Sequence, residues 1–241
     1  LGRGWRQCRA EALQGVLAHA RLLPLVQLAF TRKRMQLLQR WLPLLLQRAI
    51  SEGERNGSAV AVADWLQAQG AHDLASGCLE HVDWPAMDGP AWLLRGVIEQ
   101  QRGELDLAEA SLAQACLDAT VQAQAFYRLG ELQRSHGQAD AAAGWFLAAL
   151  NKDPDHRWSH NSLQYLRLSD SMRQRVLVAY KRLAARRPDQ QLSSQLLAYY
   201  LMLNNEREAS IEVSRRAARL ELGAQAQHLT HASAAPTPPD F

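Results

Sequence analysis

The sequence predicts an all-α protein, an α-solenoid of about five helix–turn–helix hairpins with extra helices at its N-terminal end. Residues 89–122 and 123–156 match each other at a spacing of 34. Trp92 answers Phe126, Gly96 answers Gly130, Gly103 answers Gly137, Ala108 answers Ala142, Leu112 answers Phe146, and Ala115 answers Ala149. A fixed period of this size marks a stack of identical supersecondary units. Within each period the apolar and small positions recur at helical spacing. Composition agrees, because Ala, Leu, Gln, Arg and Glu dominate and all favour helices. A hydrophobic fraction of 47% over 241 residues supplies a core.

Residues 1–55 form a basic, Leu-rich segment. Gln7–Ala20 reads as one helix, Leu25–Arg34 as a second that Pro24 begins, and Met35–Ser51 as a third that Pro43 kinks. Residues 1–50 hold nine basic side chains against Glu11 alone, a local charge of +8, which leaves the other 191 residues at −5. Two readings follow for this segment. It caps the array as a degenerate sixth hairpin, since a solenoid must cover its first apolar face. Alternatively, its basic residues with Trp5 and Trp41 lie on an anionic membrane surface.

The unit 123–156 shows the hairpin most plainly. Phe126, Leu129 and Gly130 follow i, i+3, i+4 on one helix, and Ala142, Phe146 and Ala149 follow i, i+4, i+7 on the next. Gly137 lies between them, where a left-handed residue ends the first helix. Pro154 stops the second helix. The frame continues in both directions, giving an array over 56–224 divided at 56–88, 89–122, 123–156, 157–190 and 191–224. Asn205 takes the turn place of the last unit, being the next best residue for a left-handed conformation. Ser210 and Ser214 stand at core places there, as in a terminal unit with a wetter face. Residues 225–241 lose the period, and Ala234–Pro239 reads as an extended Pro-rich linker or tail. The first residue is Leu1 rather than Met, as expected of an excerpt.

This pattern resembles the tetratricopeptide repeat (TPR) family over about 170 residues, most closely at 89–122 and 123–156. Arg95 replaces a large apolar residue of that pattern, Gln133 the usual Tyr, and Gln164 a small residue. The resemblance implies a right-handed superhelix that binds a peptide segment or partner protein in a concave groove. It also implies that the first helix of each hairpin lines the groove through its second, fifth, ninth and twelfth places. On this sequence those places give Gln124, Tyr127, Glu131 and Arg134, then Trp158, Asn161, Tyr165 and Leu168, then Leu192, Gln195, Tyr199 and Met202. The expected partner contacts are Tyr127, Arg134, Trp158, Asn161, Tyr165 and Tyr199. The Lys/Asn clamp that some members use for a terminal carboxylate is not recognisable, nor is the Asn ladder of glycosyltransferase-linked arrays.

No phosphate-binding glycine loop, HExxH, CxxC pair or GxSxG elbow occurs, so no catalytic residue, metal or cofactor is expected. His156 and His160 are four apart beside Asp153 and Asp155, but Pro154 puts His156 at a loop–helix junction, so they read as surface or packing histidines. Cys8, Cys78 and Cys116 are odd in number and far apart, which predicts no disulfides and a reducing, cytoplasmic setting. Nucleic acid is not expected, because no recognised binding motif is present. An interaction scaffold is the expected function. The alternative is the accessory domain of a larger enzyme with a catalytic domain beyond residue 241, of glycosyltransferase or sulfotransferase type, since the closing Pro-Pro-Asp-Phe resembles entry into the first strand of a sulfotransferase-type domain.

Overall fold

A computed structural model describes residues 19–33, 35–48, 52–80, 82–188 and 190–233. Trp5, Cys8, His81, Ala234–Pro239 and most of the expected helix Gln7–Ala20 lie outside the described residues. Among those described, the secondary structure is helical throughout. The chain divides into two compact units, residues 1–132 and 133–241.

The first unit holds α1 (His19–Thr31), α2 (Met35–Arg48), α3 (Glu52–Ala68), α4 (His72–Leu79), α5 (Gly89–Arg102) and α6 (Leu105–Ala115), followed by most of α7 (Gln122–Ser135). From α1 to α6 each helix packs on the next, and α1 also meets α3, α2 meets α4, and α3 meets α5. One core runs through the first four helices, from Val26 and Ala29 through Leu42, Val62 and Leu66 to Ala75 and Leu79. One N-terminal expectation needs correction. Pro24 does not begin a helix but lies inside α1, and Pro43 likewise lies inside α2. A proline within a helix removes one N–H donor. Pro24 is exposed, so the lost bond is on the solvent side, while Val26 and Ala29 bury the opposite face and hold the helix.

The hairpin positions follow the repeat. Ala108, Leu112 and Ala115 on α6 are fully buried. Gly96 on α5 must be small, because a Cβ there would lie 2.7 Å from Leu112 Cγ. The turns carry the backbone the sequence demands, with φ of 75° at Gly70, 80° at Gly103, 74° at Gly137 and 62° at Asn205. Such values suit Gly and, at some cost, Asn. Asp88 starts α5 by accepting from the Ala91 N–H at 3.0 Å.

The second unit continues with α8 (Ala139–Lys152), α9 (Arg157–Gln164), α10 (Asp170–Arg186), α11 (Gln191–Leu203) and α12 (Arg207–Ser233). Here α8 packs on α9 and α10, α9 and α10 both pack on α11, and α11 packs on α12. Phe146, Leu163, Val176, Tyr180 and Tyr200 fill the interior. Ser210 is buried and satisfied, its hydroxyl donating to the Ala198 carbonyl at 2.7 Å, whereas Ser214 is exposed.

The fourth hairpin departs from the repeat frame. Its first helix ends at Gln164, after eight residues, and a non-helical link leads to α10 at Asp170. Leu168, expected on a first helix, therefore lies in the link. Its turn place holds Ser171, which cannot end a helix in the left-handed way that Gly does and instead sits in the first turn of α10. The link is anchored at its far end. Ser169 caps α10 by accepting from the Met172 N–H, and its own N–H donates to Asp140 Oδ1 at 3.0 Å.

Candidate functional site

The expected contact residues fall on three helices. Tyr127 on α7 is half-buried, with the Arg128 guanidinium 5.9 Å from its ring centre. Arg134 is exposed in the last turn of α7. Trp158 and Asn161 are exposed on α9, and Tyr165 is the residue that ends that helix, not a member of it. Tyr199 is on α11, the helix against which α9 packs. Trp158, Asn161 and Tyr165 follow i, i+3, i+7, and Leu192, Gln195, Tyr199 and Met202 follow i, i+3, i+7, i+10, so each set lies along one side of the chain.

Four of these side chains are large and exposed. Trp158 is 65% exposed, Tyr165 82%, Tyr199 37% and Met202 65%. Tyr199 is held at its base by an edge-on contact with Tyr200, whose ring centre is 5.2 Å away.

Beneath this face a buried polar chain fixes the two helices. The His160 ring, fully buried on α9, meets the Tyr180 hydroxyl through Nδ1 and the Pro154 carbonyl through Nε2, each at 2.9 Å. The assignment that satisfies every group has Nε2–H donating to Pro154 and the Tyr180 hydroxyl donating to Nδ1. Tyr180 stacks on Tyr200 at 5.4 Å, and the Tyr200 hydroxyl donates to the Leu163 carbonyl at 2.8 Å. Burial lowers the His160 pKa and raises that of Tyr180, so both stay neutral near pH 7. His156 caps α9, its Nδ1 accepting from the Ser159 N–H at 3.3 Å, and burial lowers its pKa as well. Both histidines are therefore packing groups, and His160 has no ring nitrogen left for a metal ion.

A second polar cluster lies in the first unit and escaped the sequence. Arg95, at a place where the repeat puts a large apolar residue, donates through Nε to Glu99 at 2.7 Å, and the Ser111 hydroxyl donates to the same carboxylate at 2.6 Å. The Arg95 guanidinium also lies 4.5 Å from the Trp84 ring centre and 5.5 Å from that of Trp92. The arginine thus fills an apolar place with its stem and indole contacts. Trp84, outside the regular helices, carried no periodic signal.

Solved structures show the same architecture. A crystal structure of MamA protein is 17% identical, covers 78% of this chain and 100% of its own, and superposes with a TM-score of 0.51. MamA is built of tetratricopeptide repeats. This chain has the tetratricopeptide-repeat fold. A second MamA crystal structure, also 17% identical, covers 68% of this chain and 97% of its own at a TM-score of 0.49. YrrB, a TPR protein with an unusual peptide-binding site, is 15% identical and covers 72% of this chain and 91% of its own at 0.47. No family model matches the chain, and no curated protein matches it in sequence. None of the helices among the described residues is long and apolar enough to cross a membrane. Trp158 lies on α9, Tyr165 at its C-terminal end, and Tyr199 and Met202 on α11.

Proposed function

We propose that this TPR array is an interaction scaffold that holds a peptide segment of a partner protein against α9 and α11. The observation that carries the reading is the exposure of Trp158 on α9, Tyr165 at its end, and Tyr199 and Met202 on α11, the helix that packs against α9. Aromatic and Met side chains give large contact area for little lost rotamer freedom, and they dominate peptide grooves and interface hot spots. Asn161, exposed between Trp158 and Tyr165, supplies an amide able to pair with a peptide backbone. The buried His160–Tyr180 and Tyr200–Leu163 bonds hold both helices in place without the partner, which lowers the ordering cost of binding. Tyr127 and Arg134 on α7 are proposed as contacts in their own right.

The test is affinity capture from the source proteome with the native chain and the Y165A/Y199A variant, compared by quantitative mass spectrometry. Tyr199 packs edge-on against Tyr200, so the variant is first checked for native helicity by circular dichroism. Proteins held by the native chain and lost from the folded variant are the expected result. Equal capture by both would remove the face from consideration.

A further inference from the structure

We infer that the segment held against α9 and α11 is acidic as well as apolar. The inference rests on the reading of this face as a peptide site and adds the charge of its occupant. No carboxylate occurs between His156 and Ser169, nor between Gln191 and Leu203, so α9, its link and α11 contribute none. The same segments contain two cations, Arg157 at the start of α9 and Arg167 in the link. Both are exposed, and neither has an ion-pair partner among the described residues.

The acids that border these segments are engaged elsewhere. Asp155 accepts from Arg187 Nη2 at 3.2 Å and from Gln190 Nε2 at 2.6 Å. Glu206 accepts from Lys181 Nζ at 3.0 Å. Asp170 pairs with Arg173 along α10, and Asp140 is taken by Ser169. Asp153 turns back on its own loop and accepts from the Asp155 N–H at 3.0 Å. None of these acids forms an ion pair with Arg157 or Arg167, which stand near the exposed aromatic groups in the chain.

Backbone donors add to this. In the non-helical link, the N–H groups of Arg167 and Leu168 meet no protein acceptor among the described residues. Unpaired among the described residues, they are available as donors to an incoming carboxylate, at and next to Arg167 in the chain. The face therefore combines apolar anchoring sites with two unpaired guanidiniums and two N–H groups that meet no protein acceptor among the described residues, and its own two segments carry no carboxylate. The complement is a peptide in which aromatic or aliphatic anchors alternate with Asp or Glu, since charge complementarity selects partners and register more than it adds affinity.

A phage library of random peptides of about 12 residues, long enough to follow two helices, provides the probe. It is panned on the native chain, on R157E/R167E and on W158A/Y199A, each checked for native helicity by circular dichroism. Peptides enriched on the native chain should carry apolar anchors with an excess of Asp and Glu. Their affinity should fall about fivefold between about 50 and 500 mM salt, as expected for a few solvent-exposed charge contacts. R157E/R167E should lose them about tenfold or more, and should prefer the same peptides with Asp and Glu replaced by Arg. Enrichment of neutral or basic peptides that still need Trp158 and Tyr199 would overturn the acidic assignment and leave the peptide site standing. Peptides that bind W158A/Y199A as well as the native chain, or an empty selection, would overturn the peptide site and the inference with it.

Discussion

The Tyr200 hydroxyl on α11 donates to the Leu163 carbonyl on α9 at 2.8 Å, joining residues 37 apart in sequence. This bond ties the two helices that carry the proposed peptide face. Tyr200→Phe keeps the ring and its stacking on Tyr180 but removes the donor. A buried, satisfied bond of this kind contributes about 1 kcal/mol. The variant should show that loss in urea unfolding followed by circular dichroism, with binding by the surface residues retained.

Gly96 and Gly144 should respond to alanine in opposite directions. A Cβ on Gly96 would sit 2.7 Å from Leu112 Cγ and 3.2 Å from the Leu112 backbone nitrogen, whereas on Gly144 it would meet nothing within 4 Å. Both gain helix propensity, about 1 kcal/mol, but overpacking at Gly96 costs about 1–3 kcal/mol. G144A should raise the unfolding midpoint and G96A should lower it.

Stability should fall on mild acidification. Burial lowers the folded-state pKa of His160 and of His156 below the ordinary value of 6.5. The unfolded chain then binds more protons than the folded chain below that value, so the linkage slope is positive and stability rises with pH. The contribution is complete above pH 6.5 and is lost progressively as pH drops toward the folded-state values. His160→Gln should be less stable at pH 7 yet lose less between pH 6.5 and 5, measured as the shift in urea midpoint across that range.

Cys78 should resist alkylation in the folded protein. It is buried in α4, and burial pushes its thiol up to about 12, against about 11 for the half-buried Cys116. Only the thiolate reacts. With iodoacetamide at pH 8, peptide mass mapping should find Cys116 modified slowly and Cys78 modified only after unfolding.

The repeat made the hairpins and their buried faces legible, because Ala142, Phe146, Ala149 and their counterparts recur at fixed spacing and must face one way. Turns were legible for the same reason, since a Gly or Asn at a fixed offset has a steric meaning. The fourth repeat was not, because its frame counts residues and does not say where a helix stops. Tyr165 was named as a groove residue on a helix, but α9 ends just before it. The Arg95–Glu99–Ser111 cluster was illegible, as its partners come from two helices and from Trp84 in a connection. Pro154 at a loop–helix junction points to surface or packing histidines, whereas the Tyr180 and Pro154 partners of His160 depend on tertiary placement that no local pattern carries. The charge of the proposed face needed the structure too. Arg157 and Arg167 stand out only after Asp155, Asp170 and Glu206 are seen to be paired elsewhere.

The short α9 and its link set where the chain tolerates a change of length. Ala115, Ala149, Leu183 and Ala217 stand 34 residues apart and are all buried, even though the helix boundary in the fourth repeat has slipped. An extra residue between Tyr165 and Leu168 lengthens only a non-helical stretch whose far end is tied by Ser169 to Asp140, and it leaves Leu183 and Ala217 in phase. The same insertion between Tyr180 and Leu183 turns every later position of α10 by about 100° and exposes what was core. Tyr165 and Arg167 thus occupy a stretch in which binding specificity can be rewritten by insertion or deletion while the stack beneath it keeps its count.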